Sequence, residues 1–210
     1  YLPELAGRAT VLAARGTEVR VVLTIGAVGL TAQEMDAMPR LELVCALGAG
    51  FENIDRSHAH ARGIVVANGA GTNEDSVADH ALGLLLAAVR AIPRNDRACR
   101  DGIWRDALPL PPQVAHRRLG IVGMGSIGLK IARRALGFDM AVGYHNRRQR
   151  DDVAYSYFDT VLALAEWADF LVVAAPGGPA TRHLVDAPVL TALGPQGFLV
   201  NIGRGSVVDT

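Results

Sequence analysis

The sequence predicts an α/β protein made of two doubly wound parallel sheets joined by a long helix, and three observations carry that prediction. Short apolar runs alternate with segments of helical period along the chain. The run Leu119-Gly120-Ile121-Val122 passes straight into Gly123-Met124-Gly125-Ser126-Ile127-Gly128 and then into a helical pattern. An almost wholly apolar helical stretch from Ser76 separates one strand–helix series from the next.

Composition frames these elements. With 210 residues, half of them hydrophobic, the chain can bury a full core. Lys plus Arg equals Asp plus Glu at 21 each, so net charge gives no argument for a nucleic-acid or membrane partner. No apolar run is long enough to span a bilayer, and no basic segment precedes an apolar one at the start. Cys45 and Cys99 have no metal-ligand spacing and fit a reducing compartment, so a cytoplasmic protein without a metal is expected. The chain opens on Tyr1 and closes on Val207-Val208-Asp209-Thr210, where Asp or Thr ordinarily starts a helix. It reads as part of a longer protein.

In order, Leu5, Ala9, Leu12 and Ala13 give a modest helical pattern over 4–15, ended by Gly16. Val19 to Leu23 reads as a strand, Thr31 as the cap of a helix through Met38 stopped by Pro39, and Leu41 to Leu47 as a second strand. After Gly48-Ala49-Gly50, a helix over Asp55 to Arg62 and a strand over Gly63 to Ala67 complete a small parallel sheet. Residues 68–75 are rich in turn formers and mark a hinge, giving a first domain of residues 1–74 and a second of 75–210.

The second domain opens with the helix from Ser76. Val77, Ala81, Leu84, Leu85 and Ala88 with Leu82, Leu86 and Val89 cover most of its circumference, which predicts burial between layers or domains until Pro93 kinks or breaks it. Asp101 to Arg118, with Trp104, Pro109, Pro111 and Pro112, has no period; it reads as a loop packed on a partner subunit or as an ordinary covering loop. Past the glycine run, Ile127, Ile131 and Ala135 with Leu129, Ala132 and Leu136 form a helical face, Lys130, Arg133 and Arg134 face away, and Gly137 ends the helix. Met140 to Tyr144 is the next strand; a short helix closes over Ala165 to Trp167; Asp169 to Ala174 is a strand; a helix covers Asp186 to Leu193; and Phe198 to Ile202 is the last strand. The four strands so read end at Gly123, His145, Ala175 and Gly203, and ligands of open parallel sheets sit beyond such ends.

Gly123 permits a tight turn, Gly125 lets backbone approach a pyrophosphate, and Gly128 lets the helix lie close on the strand, so the loop reads as dinucleotide-binding. A plain tight turn is the other reading, since Gly supplies 23 of the 210 residues. The acidic residue that takes the ribose hydroxyls of NAD is absent, and Tyr144-His145-Asn146-Arg147-Arg148 stands in its place. Two guanidiniums suit a 2′-phosphate in charge and geometry, so NADP(H) is expected over NAD(H), with NAD(H) possible; a solvated basic turn, helped by Arg150, is the alternative. In Asn201-Ile202-Gly203-Arg204-Gly205, an Arg at a strand's mouth can hold a substrate carboxylate and polarise a carbonyl, or is simply a surface Arg.

Four stretches together resemble the D-isomer-specific 2-hydroxyacid dehydrogenases, especially their glyoxylate and hydroxypyruvate reductase branch. They are Leu47-Gly48-Ala49-Gly50-Phe51-Glu52-Asn53-Ile54-Asp55, Ser76-Val77-Ala78-Asp79-His80-Ala81-Leu82-Gly83-Leu84, the glycine loop, and Asn201 to Gly205. The resemblance implies Rossmann- and flavodoxin-like domains and a reductase of small 2-oxo acids. It places the substrate carboxylate on the backbone of Ala49 and Gly50, side-chain selection on Leu47 and Phe51, and the catalytic arginine at Arg204. Ser126 and Ile127 would meet the pyrophosphate, and Asn146, Arg147 and Arg148 the adenosine ribose and its phosphate. Ala175, Pro176 and Thr181 would line the cofactor, with Ile202 and Gly203 near the nicotinamide. The family's pairing habit implies a homodimer through the long helix and the loop after it.

The family's Glu and His beyond the arginine have no counterpart, and His58, His60, His80, His116, His145 and His183 all read as structural. A dinucleotide-sensing binder without enzymatic activity is therefore the alternative, while another Rossmann enzyme such as an amino-acid dehydrogenase leaves the other motifs unexplained.

Overall fold

A computed structural model describes residues 16–210; the helix expected over 4–15 lies outside them. The chain divides into two compact units between Asn73 and Glu74.

In the first unit, β1 (Val21–Thr24), β2 (Leu43–Ala46) and β3 (Val65–Asn68) form a parallel sheet in that order. Val44 of β2 pairs with Val22 on one side and Val66 on the other. Helix α1 (Ala32–Asp36) starts at a capping box: the Thr31 hydroxyl accepts the Glu34 N–H, and the Glu34 carboxylate accepts the Thr31 N–H. It ends sooner than the sequence suggests because Met38 leaves the helix to enter the core, where it is fully buried beside Met35, Leu30 and Ile64. Helix α2 (Arg56–Ala61) is capped by Asp55. Arg62 then donates to the carbonyls of Met35 and Met38, which also accept the backbone N–H groups of Met38 and Leu41, and so ties α2 to the end of α1.

The second unit carries a five-stranded parallel sheet. Its strands are β4 (Arg118–Val122), β5 (Ala141–His145), β6 (Ser156–Phe158), β7 (Phe170–Val173) and β8 (Phe198–Asn201), in the order β6-β5-β4-β7-β8. Helices α3 (Glu74–Val89) and α5 (Ser126–Leu136) share one hydrophobic cluster, and α6 (Val161–Trp167) and α7 (Ala187–Leu193) share another. Strand β7 shows how the sheet separates them. Phe170 and Val172 enter the first cluster, Leu171 and Val173 the second, so the strand is buried on both faces and its sequence reads as a continuous apolar run.

Three sequence expectations change. Strand β6 went unread, since three residues are too few for a period-2 pattern. Helix α3 is not buried around its circumference: Ala78, Ala81, Leu82, Leu85 and Val89 form a buried stripe while Gly83, Leu84 and Ala88 are exposed. The kink or break expected at Pro93 is a bend of 56°: Ala91 adopts a left-handed conformation (φ 51°) and starts α4 (Ile92–Arg100) with Pro93 in its first turn. Among the described residues no single helix is long and apolar enough to cross a membrane.

The third correction concerns charge. Lys130 and Arg134 do not face away from the protein but reach α3, where Lys130 Nζ lies 2.7 Å from Asp75 and Arg134 pairs with both Asp75 (3.2 Å) and Asp79 (2.6 Å). These two cations hold the Asp75 carboxyl below the usual carboxylate range. A depressed folded-state pKa means the network contributes stability above about pH 4 and loses it as pH falls further. Asp75→Asn is therefore expected to flatten the fall of Tm with acid below about pH 4 and to reduce the effect of added salt near neutrality. A Tm-against-pH profile superimposable on that of the wild type overturns this account.

Candidate dinucleotide site

The strand order of the larger sheet reverses direction between β4 and β7, and the loops leaving those strands meet there. Gly123 follows β4 with φ +100°, and a methyl group on it would lie 2.8 Å from the Ala175 nitrogen, just past β7. Gly203, past β8, is equally hemmed in: a methyl group there would lie 2.5 Å from the Ala175 carbonyl oxygen. At Gly128 the obstruction is the Gly123 carbonyl oxygen, 2.2 Å away, so this glycine lets α5 settle against the strand that feeds it.

Gly125 is different. It is exposed, its φ of −83° suits any residue, and a methyl group on it would meet nothing within 4 Å. Protein packing does not demand glycine there, whereas a ligand lying against the backbone does. The helix it opens supports that reading. Helices α1, α2, α6 and α7 are each capped by a side chain, from Thr31, Asp55, Thr160 and Asp186, but no side chain caps α5. Its first-turn N–H groups and positive dipole end are thus left for an anion, and the exposed Ser126 and half-buried Ile127 stand at that mouth. These residues fit a dinucleotide's pyrophosphate.

At the end of β5, Asn146 accepts the Met124 N–H at 2.7 Å, tying this strand to the glycine loop. Arg147 and Arg148 are exposed and make no hydrogen bond or ion pair with a described residue. Past β7, Thr181 Oγ1 donates to the Pro176 carbonyl at 2.7 Å and so closes the Ala175–Thr181 turn. Past β8, the Asn201 side chain accepts the Gly203 N–H and donates to the Arg204 carbonyl, both at 2.9 Å. The stem of half-buried Arg204 packs over Gly177, where a methyl group would lie 2.7 Å from Arg204 Cγ. Sequence reasoning missed the bracing role of Asn201, which its position two residues before Gly203 allows; it placed Arg150 only in a solvated basic turn, whereas its guanidinium donates to the Met124 carbonyl.

The first unit holds the remaining candidates, on the loop after β2. Gly48 turns the chain at φ +93°, the Asn68 side chain donates to the Ala49 carbonyl at 2.9 Å, and Gly50 abuts Gly26 too closely for a methyl group on the latter. Leu47 and Phe51 are exposed, and the Arg56 guanidinium lies 5.1 Å from the Phe51 ring centre. Among the histidines, the rings of His145 and His58 are engaged by the Phe158 carbonyl and Asp36, and His183 lies beside Asp209.

A reversed parallel sheet with a glycine loop, an uncapped helix and paired arginines defines a nucleotide-binding domain of the Rossmann class. Residues 82–210 match the family model for the NAD binding domain of D-isomer specific 2-hydroxyacid dehydrogenases, and the chain belongs to that family. It is 38% identical over 199 residues to a hydroxyphenylpyruvate reductase of Plectranthus scutellarioides, covering 94% of this chain and 64% of the relative. It is also 38% identical over 203 residues to glyoxylate/hydroxypyruvate reductase A of Arabidopsis thaliana, covering 96% and 65%. Among solved structures, an NADPH-dependent glyoxylate/hydroxypyruvate reductase from Sinorhizobium meliloti, in complex with NADP and malonate, superposes with a TM-score of 0.86 at 41% identity, over 95% of this chain and 63% of that one. The chain thus spans a little under two thirds of the length of these relatives.

The glycines separate experimentally. Gly128→Ala forces backbone apart and is expected to cost about 1–3 kcal/mol, read as a lowered Tm. Gly125→Ala is expected to leave Tm within about 1 °C of the wild type, given ordinary surface tolerance. Equal losses from both would mean that Gly125 also serves packing.

Proposed function

We propose that the full-length protein is a reductase of small 2-oxo acids such as glyoxylate or hydroxypyruvate, using NADPH in preference to NADH. The observation that carries this is the open Gly125 at the uncapped start of α5, with Arg147 and Arg148 beyond the neighbouring strand unengaged by any described residue. Family membership and the named reductases among the relatives favour an enzyme over a dinucleotide sensor.

A bound nicotinamide dinucleotide supplies the hydride for the carbonyl carbon. In this reading the backbone of Gly123, Gly125, Ser126, Ile127 and Gly128 holds the pyrophosphate, Asn146 the adenosine ribose, and Arg147 and Arg148 its 2′-phosphate. Ala175, Pro176 and Thr181 line the cofactor, and Ile202 and Gly203 lie beside the nicotinamide. Arg204 polarises the carbonyl oxygen, drawing charge from the carbon that receives hydride, and that oxygen takes its proton from a general acid that is not among these residues. The amides of Ala49 and Gly50 take the substrate carboxylate, and Leu47 and Phe51 select the remainder of the acid. The free cysteines Cys45 and Cys99 suit a cytoplasmic protein. Exposed Leu84, Ile92, Trp104 and Leu110 on α3, α4 and the following loop suit a homodimer.

Parallel titrations with NADPH and NADH test the cofactor assignment, and turnover across a panel of 2-oxo acids tests the reaction. NADPH is expected to bind at least about tenfold tighter than NADH, with that margin lost in Arg147→Ala/Arg148→Ala. Equal binding of both dinucleotides overturns the phosphate assignment, and no oxidation of NADPH with any 2-oxo acid overturns the reaction.

A further inference from the structure

Three arginines follow β5 within five residues, yet the structure treats them differently. Arg147 and Arg148 are exposed and unengaged among the described residues, whereas Arg150 turns back under the glycine loop. Its Nη1 donates to the Met124 carbonyl at 2.8 Å. Its Nε donates to Asp152 at 2.8 Å, and Nη2 meets that carboxylate's other oxygen, a fork-on-fork pair that fixes the plane of the guanidinium.

The backbone of Arg150 is anchored as well. Its N–H donates to the hydroxyl of Tyr144 at 2.9 Å, and Tyr144 is completely buried in β5. The anchoring therefore runs from the core of the sheet, through a tyrosine hydroxyl, to an arginine held by its own aspartate.

The Met124 peptide is gripped from both directions. Its N–H goes to Asn146 Oδ1 at 2.7 Å, and its carbonyl takes Arg150. Met124 lies between Gly123 and Gly125, so whatever fixes its two peptide groups fixes the height at which Gly125 and Ser126 present their amides. Glycines on both sides leave the backbone free to drift; the two side chains remove that freedom. The contact also settles the orientation of the Asn146 amide. A backbone N–H can only donate, so the atom facing it is the oxygen, and Nδ2 points elsewhere as a donor. An aspartate could accept the same N–H but would bring a negative charge to the place where a 2′-phosphate would sit.

We infer that Asn146 and Arg150 form a clamp on the Met124 peptide that preorganises the glycine loop, and that Arg150 is a positioning residue for either dinucleotide rather than a ligand of the 2′-phosphate. The inference rests on the dinucleotide-binding reading above. It divides the basic turn into two jobs: Arg150, charge-matched by Asp152, shapes the pyrophosphate loop, while Arg147 and Arg148 supply discrimination.

Titration of the full-length protein and its Arg150→Met variant with NADPH and with NADH tests this. The variant is expected to weaken both by about tenfold, leaving the ratio of the two affinities as in the wild type, because the loop they share is what loosens. Hydrogen exchange at the amides of residues 124–126 in the ligand-free protein is expected to speed up, a change that loss of a phosphate contact would not produce. Arg150→Lys keeps the charge but cannot hold both Asp152 oxygens while reaching Met124, and is expected to fall between wild type and Arg150→Met. Asp152→Asn, which leaves the arginine in place, is expected to weaken both dinucleotides in the same direction and covers the case in which Arg150→Met does not fold. Loss confined to NADPH overturns the inference by making Arg150 a phosphate ligand, and unchanged binding of both overturns it by showing the clamp idle. Failure of the wild type to bind either dinucleotide would instead overturn the functional reading, and the clamp's purpose with it.

Discussion

The larger unit depends on how closely backbone meets backbone at the carboxyl end of its sheet. Strands β4, β7 and β8 release loops into the same small space, and Gly123, Ala175 and Gly203 touch there with no room for a side chain at either glycine. That crowding places three loops around one crevice. Backbone pairing continues to the edge of this space, where the Ile202 N–H donates to the Val173 carbonyl. A sheet buried on both faces supplies the rigidity. With β7 divided residue by residue between two hydrophobic clusters, a shift of one residue would exchange its whole set of contacts, so the loop ends are fixed by the core beneath them.

Much of this was legible in the sequence because the relevant signals are local. Apolar runs bounded by turn residues located β1 to β3 and most of the larger sheet. Thr31, Asp55 and Asp186 announced helices that they do cap. Packing against a distant element was less legible. Lys130 and Arg134 look like the solvated face of a helix until α3 brings Asp75 and Asp79, more than fifty residues earlier in sequence, beside them. The apolar positions of α3 suggest complete burial, yet the fold needs only the stripe that meets α5 and β8. Strand β6 exists because β5 offers it an edge; Ser156-Tyr157-Phe158 alone carries no pattern that demands a strand.

The candidate site divides along the same line. The spacing of three glycines suggests a phosphate loop but cannot say why each is glycine, and the structure separates them: Gly123 and Gly128 answer to neighbouring backbone, Gly125 to open space. The basic turn likewise reads as one feature, phosphate site or solvated loop, because its arginines look alike in sequence. Partners tell them apart. Asp152 neutralises Arg150 and holds it toward Met124, so the uncompensated positive charge near β5's end belongs to Arg147 and Arg148.

That division bears on why an asparagine at position 146 suits the proposed cofactor. The Asn146 side chain accepts an N–H from the glycine loop, and in the proposed reading it would have a second task, to meet the adenosine ribose. A carboxylate does both when the ribose bears a free hydroxyl, since it accepts from each. When the ribose bears a phosphate, the second task reverses, for the partner is now an acceptor with negative charge. In that reading an amide meets both demands at once, its oxygen held on the loop by the Met124 N–H and its nitrogen left as a donor. Cofactor preference in this reading is therefore a property of Asn146 as much as of the arginines: the arginines attract the phosphate, and the amide removes the charge that would repel it without surrendering the bond that shapes the loop.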